Sequence, residues 1–114
     1  MSELATVARE KQLIVMARVE PGSLGPDGME RVEGFCRFAN QRLSHSPVNH
    51  FSRWRVIPRY DKSLPEIEYF IADKKLNPLQ VGKYLSCFQS NLDAFEEAFY
   101  LNLTDLIEQY LSTN

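Results

Sequence analysis

The run Leu13-Ile14-Val15-Met16-Ala17-Arg18-Val19 is almost wholly apolar and rich in β-branched side chains. It predicts a strand over residues 12–20 that stops at Pro21-Gly22. A strand apolar on both faces belongs in the interior of a sheet, covered on at least one side. Farther along, Met29, Val32, Cys36, Ala39 and Leu43 recur at steps of three and four, with Phe35 and Phe38 widening the stripe. This spacing predicts an amphipathic helix over residues 28–44, laid on the sheet.

The pattern then returns to period two. Residues 51–57 form a second predicted strand and residues 66–72 a third, in which Ile67, Tyr69 and Ile71 alternate with Glu66 and Glu68. The connection between them is too short for a crossover helix, so the two strands are expected to pair as an antiparallel hairpin. Asn77-Pro78 reads as a helix start, with Asn as the cap and Pro at the first helical position. A helical pattern continues from there to about Leu111. Ser90-Asn91-Leu92-Asp93 resembles a second cap, so a bend or break is expected near residue 90.

These elements give the order β-α-β-β-α. The fold class is α+β: a three-stranded antiparallel or mixed sheet with helices on one face, in a single domain over residues 1–114. Residues 1–10 show no firm period and form a lead-in, and residues 44–50 read as a loop.

The last helix carries more apolar surface than one face against a small sheet requires. Of the 20 residues from 92 to 111, 12 are apolar, and Phe95, Phe99, Leu103, Leu106 and Tyr110 fall on one stripe. Surplus of this kind marks an interface, so these five residues are the candidate contacts of a homodimer, with a monomer that folds back on itself as the alternative. An open sheet edge adds to that expectation. Ala94, Ala98 and Leu101 form a separate, minor strip.

Composition narrows the function classes. The 114 residues are 44% hydrophobic and 25% charged, which fits a folded domain and argues against disorder. The net charge of −2 is unevenly spread: residues 1–63 carry 10 Lys/Arg against 7 Asp/Glu, and residues 64–114 carry 3 against 8. A dedicated duplex-binding domain is more basic than this. No apolar run approaches the roughly 20 residues needed to cross a bilayer. Met1-Ser2-Glu3-Leu4-Ala5-Thr6 is unlike a signal peptide, so the expected location is cytoplasmic and membrane partners are not expected. Cys36 and Cys87 lie on predicted helix faces and read as small hydrophobes in a reducing compartment.

Catalytic and metal signals are weak. Gly22-Ser23-Leu24-Gly25-Pro26-Asp27-Gly28 joins a strand to a helix, but lacks both the Lys-Ser/Thr of a phosphate loop and a Gly-x-Gly-x-x-Gly pattern. It reads as a structural turn in which Asp27 caps the helix and Glu30 completes a capping box. His45 and His50, five apart, match no zinc spacing, and no serine sits in a nucleophile turn. The chain is therefore read as a non-enzyme without metal or cofactor.

The densest chemistry lies between Ser52 and Pro65, where three arginines, a lysine, the only tryptophan and a tyrosine gather. Arginine forks beside aromatic planes suit RNA or an acidic protein. The hairpin register would set Arg53 and Arg55 against Glu66 and Glu68, neutralising them across the sheet. Trp54 and Val56 would then face the core. That leaves the proline-bracketed tip, with Arg59 and Lys62 for anions and Tyr60 for stacking, as the candidate binding site. The expected function is binding by a homodimer through residues 58–65, with a structural dimer built on the last helix as the alternative and a small enzyme ranked third.

Overall fold

A computed structural model describes residues 8–45 and 50–112 of the chain. It divides into two compact units, Met1–Lys75 and Leu76–Asn114. Within the described residues the first unit contains β1 (Leu13–Val19), α1 (Gly28–His45), β2 (Ser52–Pro58) and β3 (Ile67–Ile71). A short β4 (Lys74–Leu76) ends at the boundary, and the second unit contains α2 (Pro78–Ser86) and α3 (Leu92–Ser112). The class is α+β, with a four-stranded mixed sheet in the order β2-β1-β3-β4. Most of the expected lead-in and the middle of the expected 44–50 loop, residues 1–7 and 46–49, lie outside the described residues. No described helix is long and apolar enough to cross a membrane.

The apolar run becomes β1, and it is central: β2 lies parallel on one side and β3 antiparallel on the other. Leu13, Val15, Ala17 and Val19 are no more than 3% exposed, while Ile14, Met16 and Arg18 on the opposite face are half-buried. The buried face carries Val56 of β2 and Tyr69 of β3, and α1 packs on β2. The stripe of α1 that is buried runs through Gly28, Val32, Phe35, Cys36, Ala39 and Leu43. Met29, expected on that stripe, is 68% exposed. The helix starts hard against Pro21, where a Cβ on Gly28 would overlap the Pro21 carbonyl group, so Gly28 and not Met29 takes the buried position in the first turn.

Three local expectations change. The capping box at Asp27 does not form. The Asp27 backbone carbonyl accepts the Glu30 N–H at 3.1 Å, and the Asp27 carboxylate turns to Arg31 at 3.8 Å. A fourth strand, β4, forms over Lys74–Leu76, too short to show a period in the sequence. The sheet accordingly has four strands where three were expected.

The third change matters most. The 66–72 strand does not pair with the 51–57 strand, because β1 lies between them. The connecting loop passes the end of β1: Arg59 N–H donates to the Val19 carbonyl at 2.8 Å, and Arg18 N–H donates to the Glu66 carbonyl at 2.7 Å. An eight-residue connection is too short for a helix but long enough to skip one strand. With neighbouring strands about 4.8 Å apart, β2 and β3 are separated by about 10 Å.

In the second unit the break near residue 90 is present and its cause is local. The Ser90 N–H reaches the Leu85 carbonyl at 3.0 Å and the Gln89 N–H that of Ser86 at 3.2 Å, with Gln89 at φ 60°. This is a Schellman ending with glutamine in the left-handed position. Asn91 then caps α3 by accepting the Ala94 N–H at 2.9 Å. At the start of α2 the capping box of Asn77 and Gln80 closes in both directions, at 2.8 and 2.9 Å.

Candidate functional site

The loop tip singled out by the sequence is folded onto itself. Arg59 follows Pro58 at the end of β2, and its side chain is 16% exposed. Its Nε and Nη2 donate to the Leu64 carbonyl at 3.1 and 2.9 Å, and Nη2 also to the Lys62 carbonyl at 3.0 Å. Its Nη1 lies 3.6 Å from Glu20 Oε2 and 3.8 Å from Glu66 Oε2. A guanidinium with these partners braces the loop rather than reaching outward. Lys62 shares the same carboxylate, Nζ to Glu20 Oε1 at 3.6 Å, although its side chain is 81% exposed.

Tyr60 stands apart from this pair. Its ring is exposed, and its hydroxyl donates to Glu33 Oε2 of α1 at 2.9 Å. That bond holds the proton on the phenol and pushes its pKa above the ordinary value. Asp61 accepts from the Ser63 hydroxyl at 2.6 Å and the Ser63 N–H at 2.9 Å, which holds its carboxyl below the usual range. Arg59 and Lys62 are thus brought together, but around Glu20.

The neutralisation expected for Arg53 and Arg55 is absent. Both sit on β2, paired in register with Ile14 and Met16 of β1. The row through Arg55 continues across Met16 to Glu68, so a whole strand separates the two charges. Glu68 is already held by Arg18 at 2.7 Å and Lys75 at 2.8 Å. Those two cations, Lys75 first, press its carboxyl below the ordinary value. Arg53 and Arg55 are exposed and make no side-chain ion pair or hydrogen bond among the described residues. Sequence reasoning set these two aside because it assigned β2 the wrong neighbour.

β2 forms one edge of the sheet, and part of that edge is closed. Asn40 of α1 bonds both main-chain groups of Val56, at 2.7 and 2.9 Å. Two residues on, Pro58 has no N–H to offer. Trp54, half-buried on the Val56 side of the strand, donates its indole N–H to Ser52 Oγ at 2.8 Å. The only advance signal for Asn40 was a polar amide flanking the apolar stripe of α1.

Elsewhere, Phe95, Phe99 and Leu106 of the candidate interface are buried within this single chain, and Leu103 and Tyr110 are half-buried. The exposed large apolar side chains of α3 are Tyr100 and Leu101, at 44% and 67%. His45 bonds the Gln41 carbonyl of its own helix at 2.9 Å, and His50 stacks edge-on against Phe51 at 5.6 Å. Cys36 is buried, its thiol pushed up to about 11, chiefly by burial and then by Glu33; Cys87 is exposed. Among the described residues no three His, Cys, Asp or Glu side chains converge to hold a metal ion. Comparison with known protein families, with curated proteins and with solved structures finds no match to this chain.

Proposed function

We propose that this protein works by binding an anionic macromolecule rather than by catalysis, and that Arg53 and Arg55 are the residues that meet it. One observation carries the reading: two exposed arginines on one face of an edge strand, with no carboxylate partner among the described residues. An unpaired guanidinium retains its full set of donors for phosphate or carboxylate. Lys62 and Tyr60 are exposed enough to contribute at the rim, while Arg59 acts by holding their loop. A cytoplasmic setting belongs to the same proposal, since both cysteines are free.

The direct test is retention on a heparin matrix at low salt. The wild type is expected to bind and the Arg53→Ala/Arg55→Ala variant to elute in the wash; equal retention of the two sinks the assignment. Arg59→Ala is unsuitable for this purpose, because it removes the internal brace of the loop.

A second reading, self-association through α3, is favoured by the exposure of Leu101 and Tyr100 beside Ala94 and Ala98. With Phe95, Phe99 and Leu106 buried in one chain, a partner protomer would first meet Leu101. Light scattering on the wild type and Leu101→Asp tests it: a dimer that the variant converts to monomer is expected. A wild-type monomer at high concentration removes the reading.

A further inference from the structure

We infer that the partner of Arg53 and Arg55 is a single nucleic-acid strand held by successive phosphates, an inference that rests on the anionic-partner reading above. Residues two apart on a strand point the same way and lie about 6.7 Å from each other. Each guanidinium can grip one anionic group through a fork of parallel N–H donors, so the pair presents two such forks from neighbouring positions on one strand face. A polymer with a charge on every unit fits a row better than a single small anion does.

The competing ligand of similar charge is an acidic peptide. Such a peptide gains most of its affinity at a sheet edge by adding a strand, through main-chain hydrogen bonds. On β2 that route is obstructed. The Val56 N–H and carbonyl are both occupied by Asn40, and Pro58 supplies no donor. An acidic peptide would lose its main-chain bonds at Val56 and Pro58, half of the outward-facing positions of β2, whereas a phosphate backbone needs nothing from the edge.

Charge distribution points the same way. The unit Met1–Lys75 contains 12 Lys/Arg against 10 Asp/Glu, and the unit Leu76–Asn114 contains 1 against 5. A polyanion is therefore directed to the unit that contains β2. Two arginines without a partner among the described residues, in a chain of net charge −2, suit a short single-stranded footprint and not the broad basic surface a duplex requires.

The experiment is fluorescence anisotropy between 50 and 200 mM salt with three probes: a ten-nucleotide uridine RNA, an RNA duplex of the same length, and a ten-residue oligoglutamate. The proteins are the wild type, Arg53→Ala/Arg55→Ala and Arg53→Lys/Arg55→Lys, each checked for fold by circular dichroism. The wild type is expected to prefer the single strand. Loss of two phosphate contacts should flatten the log K against log salt slope by about 1.4, at about 0.7 per phosphate. The lysine variant should keep the slope and bind more weakly, because a point charge lacks the fork. Equal or tighter binding of oligoglutamate, or of the duplex, overturns the ligand class and leaves the anionic-partner reading standing. No binding of any probe at 50 mM salt overturns both, and an unchanged slope in the alanine variant removes these two arginines from the contact.

Discussion

The side-chain amide of Asn40 stands in for a neighbouring strand: its Oδ1 accepts the Val56 N–H at 2.7 Å and its Nδ2 donates to the Val56 carbonyl at 2.9 Å. A helix thereby covers part of a sheet edge that would otherwise template pairing with another chain. Asn40→Ala removes both bonds, each with a net worth of about 0.5–1.5 kcal/mol, so urea denaturation should show a loss of about 1–3 kcal/mol. The variant should also form concentration-dependent oligomers by size-exclusion chromatography. Wild-type stability together with an unchanged elution profile would show that the amide protects nothing.

That contact also shows where sequence reasoning stops. Periodicity reports which face of an element is buried, and it read β1 as central and α1 as amphipathic correctly, as the cap-like Ser90-Asn91-Leu92-Asp93 did the break near residue 90. It does not report which strand lies beside which. Pro58 and Pro65 bracket a loop compatible with a hairpin or with a strand-skipping connection, and the second is what forms. Every charge assignment inherited that choice. Arg53 and Arg55 lost their expected partners, while Arg59 and Lys62 gained Glu20, a residue at the end of β1 that no local pattern links to them. The amide of Asn40 belongs to the same class of feature, legible only once α1 is placed on β2.

Gly28 is fixed by space. A Cβ there would run into the Pro21 carbonyl group, which is backbone and cannot yield as a flexible side chain would. Gly28→Ala should lower stability toward the upper end of about 1–3 kcal/mol, the range for overpacking. Gly22, in the same turn, has nothing within 4 Å of its virtual Cβ, so Gly22→Ala should change stability by less than about 0.5 kcal/mol. Equal thermal shifts for the two variants would contradict the steric account.

Ala72 and Gln89 are the two non-glycine residues at positive φ among the described residues, at 55° and 60°. Left-handed backbone costs an L-residue about 1–2 kcal/mol, and glycine returns about 0.4–1 kcal/mol of that through the greater freedom of its unfolded chain. Ala72→Gly, in the β3–β4 turn, and Gln89→Gly, at the end of α2, should each stabilise by about 0.5–1 kcal/mol. Midpoints in urea at unchanged m-value would record it. A lower midpoint in either would mean the side chain contributes more than the backbone loses.

The two thiols should separate under alkylation. Cys36 is buried with its thiol pushed up to about 11, whereas Cys87 is exposed. Since the thiolate is the reactive species, iodoacetamide at pH 8 should modify Cys87 in the native protein and Cys36 only after denaturation. Intact mass after a timed quench gives one adduct against two. Rapid double labelling of the native protein would show that α1 opens readily.

Glu68 couples β1 and β4 through Arg18 and Lys75, and both cations lower its pKa from the ordinary 4.5. A carboxyl that is more acidic in the folded than in the unfolded chain binds fewer protons in the fold. Its stabilising contribution is complete above about pH 4.5 and is lost as pH falls through the lower folded value. Glu68→Gln removes that acid-sensitive part while leaving a polar group of similar shape. Melting temperatures measured from pH 7 down to pH 2 should show the wild type well above the variant at neutral pH, with the gap narrowing below about pH 4.5. A gap that stays constant to pH 2 would mean that the charge of Glu68 contributes nothing, and that the Arg18–Glu68–Lys75 cluster acts through packing alone.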